Sequence, residues 1–398
     1  MLGGASRSCF SVAWICGSAL ACGGPTVTAG AEPRGSQARA AATAPSESKG
    51  KEAADEGAEG ALVLARVSVS EGSGYIDLEG AWVLPPKYTL AYPFLGGLAG
   101  VLEDAPRVDT DRGPGFLDGE NHLIQPDGGR ASVSFARGVW DGVALVRYEP
   151  DGKRTIIELD GSVVASFDQI DVFREGLAVA VRGDQQGWVR PDGSWARTMP
   201  WTGKPRLSAV SEGRASVINA HDDRCRWMNP ETGAWVLPGE FASCGAFVEG
   251  RAFARMPGDD RFGIIDSEGR WLVRNAFDDY LDYREGCGMV AIGDRWGMVD
   301  RNGSWVVRPR WKGTGRMSEG RVLIADDQGQ IGYANTRGQV VIDPVFAQGG
   351  WFHHGRAMVQ PEPGGPVGFI DPSGAVVVAL KFKTADGFSE VNGLRIGW

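Results

Sequence analysis

The sequence predicts an all-β protein of tandem three-stranded antiparallel meander repeats, following one another as a propeller-like or open solenoid array. Three observations lead there. A hairpin signature recurs about nine times, a Glu-Gly marker recurs with it, and the composition suits short strands and tight turns. The 398 residues include 59 Gly, 22 Pro and 14 Trp, with charged residues at 23%. Long helices would call for a different mixture.

The chain divides into three stretches. Residues 1–21 hold one basic residue, Arg7, then an apolar and small run from Cys9 to Ala21 that is too short to span a bilayer. Such a stretch reads as an export signal peptide. Cys22 follows Ser18-Ala19-Leu20-Ala21, as at the cleavage site of bacterial lipoproteins, where the thiol is acylated. Ala19 stands where that pattern usually has Leu. Lipid attachment at Cys22 is the expectation, with plain secretion as the alternative. Residues 22–59 are Ala, Gly, Ser, Pro, Glu and Lys with almost no large apolar side chain, and read as a disordered low-complexity linker.

Residues 60–398 carry the repeats. The best-preserved unit, RWGMVDRNGSWV at Arg295–Val306, runs from an apolar stretch into Asp300, then Gly303 and Trp305. Asp opens a turn by bonding its own backbone, and Gly ends it at positive φ. The turn glycines are Gly80, Gly161, Gly193, Gly233, Gly269, Gly303, Gly338 and Gly374, the later ones in steps of 40, 36, 34, 35 and 36 residues. A degraded unit lies around Asp118–Leu123. Glu175-Gly176, Glu212-Gly213, Glu249-Gly250, Glu285-Gly286 and Glu319-Gly320 share the period. Two independent markers with one spacing define a repeat.

Within a unit the first strand follows Glu-Gly, the second is the apolar run before the Asp, and the third begins two residues after the turn glycine. Trp82, Trp195, Trp235, Trp271 and Trp305 hold that last place, with Val163, Val340 and Val376 elsewhere. These recurrent side chains are expected to stack into a column as core. Pro85, Pro126, Pro238, Pro309 and Pro344 close third strands, where a missing N–H ends pairing. Phe388-Ser389-Glu390 and Gly393–Ile396 form an extra strand, which caps an open stack or closes a ring on the first unit.

At this point the chain resembles the WG-repeat family, tandem units with Trp-Gly or aromatic-Gly, then Ile-Asp, Gly, a Pro and Glu-Gly-Leu-Ala. Trp296-Gly297-Met298-Val299-Asp300 is nearly a consensus unit. The resemblance spans roughly Ala61 to the terminus. It implies a repeat fold and carries no catalytic residues.

Chemistry-bearing motifs are sparse. His122, His221, His353 and His354 lack metal-ligand spacing, and the acidic pairs Asp222-Asp223, Asp259-Asp260, Asp278-Asp279 and Asp326-Asp327 lack the spaced calcium-loop pattern. No metal or cofactor is expected. Cys225 and Cys244 flank one hairpin and are the expected disulfide, leaving Cys287 as a small buried residue. Trp140, Trp201, Trp311, Trp351 and Tyr280 fall in or near connecting loops, which makes them the candidate binding aromatics.

A formal net charge of −9 argues against a nucleic-acid groove. The sequence therefore points to an exported, lipid-anchored, non-enzymatic binding scaffold of the bacterial cell envelope, meeting the membrane only through lipidated Cys22. Its expected partner is a protein or a cell-surface glycan. The alternative is a secreted carbohydrate-active hydrolase with its site at one end of a propeller.

Overall fold

The computed structural model describes residues 61–94, 99–103, 107–110, 113–116, 120–124, 138–140, 143–148, 153–158, 162–199 and 205–390. For the strands between 107 and 148 the backbone alone is described. Contacts divide the chain into two units. One comprises Met1–Gly60 and Arg107–Gly115, in which Arg107–Thr110 pairs with the strand Gly113–Phe116. The other comprises Ala61–Pro106 and Phe116–Trp398 and holds all that follows.

Among the described residues there is no helix, and the strands form a succession of small antiparallel sheets. The sheet containing Arg295–Val299 shows how sequence dictates one of them. Asp279–Arg284, Cys287–Ile292, Arg295–Val299 and Trp305–Trp311 pair in chain order. The segment leading to Glu-Gly is thus itself a strand, so the expected three-stranded meander gains a fourth. Gln169–Ile170, Ser243–Cys244, Gly313–Ser318 and Gln348–Gly349 do the same in other units.

The second strand is buried along almost its whole length. In Val367–Ile370 and Ser73–Ile76 every residue is buried, which is why these runs read as continuously apolar. The third strand alternates, with Val340–Phe346, Val376–Phe382 and Trp82–Tyr88 sharing one pattern of burial. Between the two strands the register slips, as between Met298↔Val307 and Val299↔Trp305. That bulge drives a third-strand carbonyl against the second strand, and the glycine of the Trp-Gly signature makes room for it. A Cβ on Gly297 would stand 2.6 Å from Val307 O, and one on Gly74, Gly332 or Gly368 2.5 Å from the matching carbonyl.

Each sheet has too little core to stand alone and buries its faces on its neighbours. The repeated tryptophans take part, though they do not stack on one another. Trp195 meets Phe167 edge-on at 5.9 Å, Trp305 meets Phe277 at 5.7 Å, and Trp271 lies tilted 6.4 Å from Phe241, so each touches the aromatic that ends the preceding unit's third strand. The expected column of Trp is replaced by aromatic pairs across unit boundaries. The turn glycines pack the same way, with Gly303 against Val273, Gly338 against Val307 and Gly374 against Ile342 of the unit before.

The last unit meets the first by these same contacts. Val63–Ser68 pairs with Thr384–Ala385 and Ser389–Glu390, Gly80 packs on Val378, and Trp82 lies edge-on 6.0 Å from Phe382. Ala65, Val67 and Ile76 share one core cluster with Phe369, Val378, Phe382 and Phe388. The array closes on its own beginning, and residues 391–398, with the rest of the expected closing strand, lie outside the described residues.

Candidate binding surfaces and the contacts that frame them

Most of the carboxylates that recur with the repeat are occupied by its own backbone. Asp300 Oδ1 accepts the N–H groups of Asn302 at 2.8 Å and Ser304 at 2.9 Å. Asp77, Asp266 and Asp371 do likewise, and Asn335 and Asn229 replace Asp in the same role. The acidic pairs are similarly engaged: Asp259 with Arg274, Asp278 with Arg261, Asp223 with Arg206 and Asp327 with Arg295. Among the described residues no group of His, Cys, Asp and Glu is arranged to hold a metal ion.

The glutamate of Glu-Gly does something the sequence did not disclose. Glu175, Glu212, Glu249, Glu285 and Glu319 sit at φ between 50° and 54°, each followed by a positive-φ glycine. Successive N–H groups in that geometry point together and form a nest for an anion. The anion is the glutamate of the preceding unit. Glu175 receives the N–H groups of Glu212 at 2.8 Å and Gly213 at 2.9 Å, and Glu285 those of Glu319 and Gly320, both at 2.7 Å. Gly250 donates to Glu212 at 3.0 Å and Gly286 to Glu249 at 2.7 Å. His354 occupies the sixth such place at φ 51°, where its N–H and that of Gly355 donate to Glu319 at 2.6 and 2.9 Å. The His353-His354 pair is therefore a member of this ladder. The available signal was that Glu has no liking for positive φ, so its recurrence before Gly marks a demand on its side chain.

A second lock lies one residue on. Arg251 Nε donates to Arg301 O at 2.8 Å, Arg321 Nη2 to Pro372 O at 3.3 Å, and Arg356 Nε to Leu78 O at 3.3 Å. Each acceptor follows the turn Asp of the next unit, and the last spans the closure. Cys287 holds this place in its own unit with Sγ 3.9 Å from Thr336 O. Burial, reinforced by Glu249, Glu285 and Asp300, pushes its thiol up to about 11.

The family is decided by these repeated positions. The model of the WG containing repeat matches residues 74–105, 227–258, 262–296, 296–326, 331–360 and 368–394. The chain carries tandem WG repeats. No curated protein sequence matches it. Among solved structures, apo AztD from Citrobacter koseri is similar with a TM-score of 0.40 and 10% identity, covering 82% of this chain and 97% of that one. BamB from Moraxella catarrhalis gives 0.38 and 10% over 74% and 90%, and YCF48 bound to D1 peptide gives 0.32 and 13% over 55% and 85%. These likenesses are distant.

The predicted binding aromatics fall differently within the WG repeats. Trp311 is no loop residue: it ends the strand Trp305–Trp311 at 5% exposure, packed among Met289, Met298 and Met317, because the strand runs two residues past the closing proline and turns its last side chain inward. Tyr280 lies half-buried, stacked on Phe253 at 4.3 Å and edge-on to Phe262 at 4.9 Å. Burial, then the charges of Asp282 and Asp279, raises its hydroxyl well above the ordinary range. Trp351 is half-buried over Gly315. Trp201 lies outside the described residues, as does the side chain of Trp140, and so does Cys22. Cys225 and Cys244 are bonded, Cα to Cα 6.1 Å, and they join two consecutive sheets rather than the arms of one hairpin.

Among the described residues, several of the large apolar side chains that the WG repeats leave in solvent lie on their third strands. Trp82 and Val83, Val340 and Val341, and Val376 and Val377 are exposed large apolar side chains at the same two positions of consecutive units across the closure, and Trp235 stands exposed in another unit. Sequence reasoning missed this surface because a recurrent Trp or Val on a strand reads as core.

Proposed function

We propose that this chain is a non-enzymatic binding scaffold, exported and lipid-anchored at Cys22 in a bacterial cell envelope, whose WG-repeat head binds a protein partner through its third strands. The observation that carries the reading is the row Trp82, Val83, Val340, Val341, Val376 and Val377, apolar side chains exposed at equivalent places on neighbouring units. Such rows, rimmed by polar residues, suit protein surfaces. The two inter-unit locks support it, since they fix the spacing of the row and leave little freedom to be lost on binding. The non-catalytic part of the reading rests on the turn and ladder carboxylates, which serve the backbone. The anchor and the address rest on the sequence alone.

The test is photo-cross-linking in the native host from an unnatural side chain at Val341 or Val377, with Lys153 as a control position. A discrete protein adduct in the envelope fraction from the first two alone is expected, lost from that fraction when Cys22→Ser abolishes the anchor. Adducts that are absent, or equally abundant at Lys153, reject the scaffold surface; an unchanged envelope fraction in Cys22→Ser rejects the anchor.

A further inference from the structure

The WG repeat is broken in two places around the turn at Gly233, once in that unit and once in the unit before it, and both breaks reach the same hairpin. The first break is on the second strand of the Gly233 unit. Three residues before the residue that opens the turn, six other units have Gly74, Gly187, Gly263, Gly297, Gly332 and Gly368, and a seventh has Thr155. In the glycine units a third-strand carbonyl lies where a side chain would begin. Here the place is taken by Arg226, and the strand that should lie over it is reduced to the isolated bridges Met228↔Trp235 and Cys225↔Phe241. The guanidinium stacks instead on the indole of Trp235, 4.1 Å from the ring centroid.

The second break is in the preceding unit. The residue that covers the next turn glycine is apolar at Ala165, Leu237, Val273, Val307, Ile342 and Val378. At the Gly233 turn it is Arg197, whose Cζ would stand 2.5 Å from a Cβ on that glycine. Two guanidiniums from two sheets thus reach one hairpin. Among the described residues neither has a hydrogen-bond or ion-pair partner, and the Nε of each is closed off from solvent. Trp235, under Arg226, stays 41% exposed.

Donors withdrawn from water without a partner are costly, and the repeat supplies a ready remedy at both positions, Gly and an aliphatic residue. A local rule broken twice at one spot marks a site rather than drift. Glu231 on the same hairpin does not neutralise the pair, because it is held by Arg190. The disulfide from Cys225, next to Arg226, ties the loosened unit to the following sheet. Planar forks of N–H donors beside an indole face match a carboxylate in bidentate geometry.

We infer that Arg197, Arg226 and Trp235 form a carboxylate-binding site for an acidic segment of a protein partner. This deepens the scaffold reading and rests on it for the class of partner. A chain of formal net charge −9 repels an acidic segment at most other places, so this pair of cations fixes where such a segment lands.

The test is fluorescence anisotropy of a labelled hexaglutamate peptide with the full chain, at low and raised salt. Arg197→Val and Arg226→Gly restore what the other units carry, and Lys381→Ala serves as a remote cation control. Expected are saturable binding that weakens with salt, at least a tenfold loss in either arginine variant, no change in Lys381→Ala, and a Tm unchanged or raised in the arginine variants. Equal binding by the arginine variants, or no binding by the native chain, overturns the site. A Tm that falls in both variants assigns the arginines to holding the fold, and tighter binding of trigalacturonate than of hexaglutamate moves the site to glycans; either result overturns the proposal. Cross-linking from Val341 that persists while the native chain fails to bind the peptide would remove this site and leave the scaffold standing.

Discussion

Glu249 accepts the backbone N–H of Gly286 at 2.7 Å and the guanidinium of Arg301 at 2.9 Å, and so joins two consecutive WG repeats by one carboxylate. Partial burial raises its pKa, but the bonds from Arg301 and from the Gly286 and Glu285 N–H groups outweigh burial and hold it below the ordinary carboxylate value. A carboxyl whose folded pKa lies below its unfolded one contributes stability in full above the unfolded value and loses it as the pH falls through the folded value. Glu249→Gln is therefore expected to destabilise the head near neutral pH by about 1 kcal/mol, a charge-assisted bond discounted for its exposure. The gap to the native chain should begin to narrow as the pH falls below about 4.3 and go on closing through the lower, folded value. Urea unfolding at pH 7 and pH 3.5 checks both, and a gap of constant size would refute the charge-based account.

Glycines of two kinds follow different rules. Gly297 is required by the neighbouring carbonyl, whereas Gly320 has open space around it and is required only by its φ of 70°. Gly297→Ala is expected to cost about 3 kcal/mol or more, because the displaced strand cannot yield without breaking its ladder. Gly320→Ala should cost about 1 kcal/mol, the strain of a left-handed non-glycine residue. Comparing their denaturation midpoints decides it, and the reverse order would show that the bulge does not impose the Trp-Gly signature.

How far each of these contacts was legible in the sequence depends on its range. The Asp300 turn, Gly303 and the strand starting at Trp305 are local, so turn chemistry and alternation disclosed them. The extra strand at the carboxyl end was visible as an unmatched first strand, and Ser389–Glu390 pairs with Val63–Leu64. The recurring Glu-Gly was legible as a marker but its bonding was not, because its acceptors meet backbone N–H groups 34 to 38 residues away, which leave no residue-type signature of their own. Trp311 was misread because an aromatic just past a strand-closing proline looks like a loop residue, and only the packing of Met289 and Met317 shows that it points inward.

The cysteines give a chemical readout of the same packing. Cys287 is buried and its thiol is pushed up to about 11, so at pH 8 only about one molecule in a thousand carries the reactive thiolate. Iodoacetamide should modify it slowly in the native chain and at once in urea. Cys225 and Cys244 should resist modification in urea and react only after a reductant is added. Peptide mapping of the alkylated sites distinguishes these cases, and labelling of Cys225 or Cys244 in urea without reductant would contradict the inter-sheet bond.

Closure of the array should depend on one ion pair. Arg66 Nε and Nη2 donate to the two carboxylate oxygens of Asp386 at 2.7 and 2.8 Å, while the Asp386 N–H donates to Arg66 O at 2.9 Å. The side chains are 14% and 34% exposed, a setting in which a bidentate pair retains more than a surface pair does. A double-mutant cycle over Arg66→Ala and Asp386→Ala is expected to give a coupling energy of about 1 kcal/mol. The more specific consequence is local. Arg66 and Asp386 sit where Val63–Ser68 meets Thr384–Ala385, so amide exchange there should quicken in either variant while the sheet around Met298 stays protected. Quickening spread evenly over all the sheets would mean that the seam and the interior open as one cooperative unit. An unchanged exchange rate would mean that Phe388, packed on Phe369 at 4.8 Å, and its neighbouring core hold the closure without the ion pair.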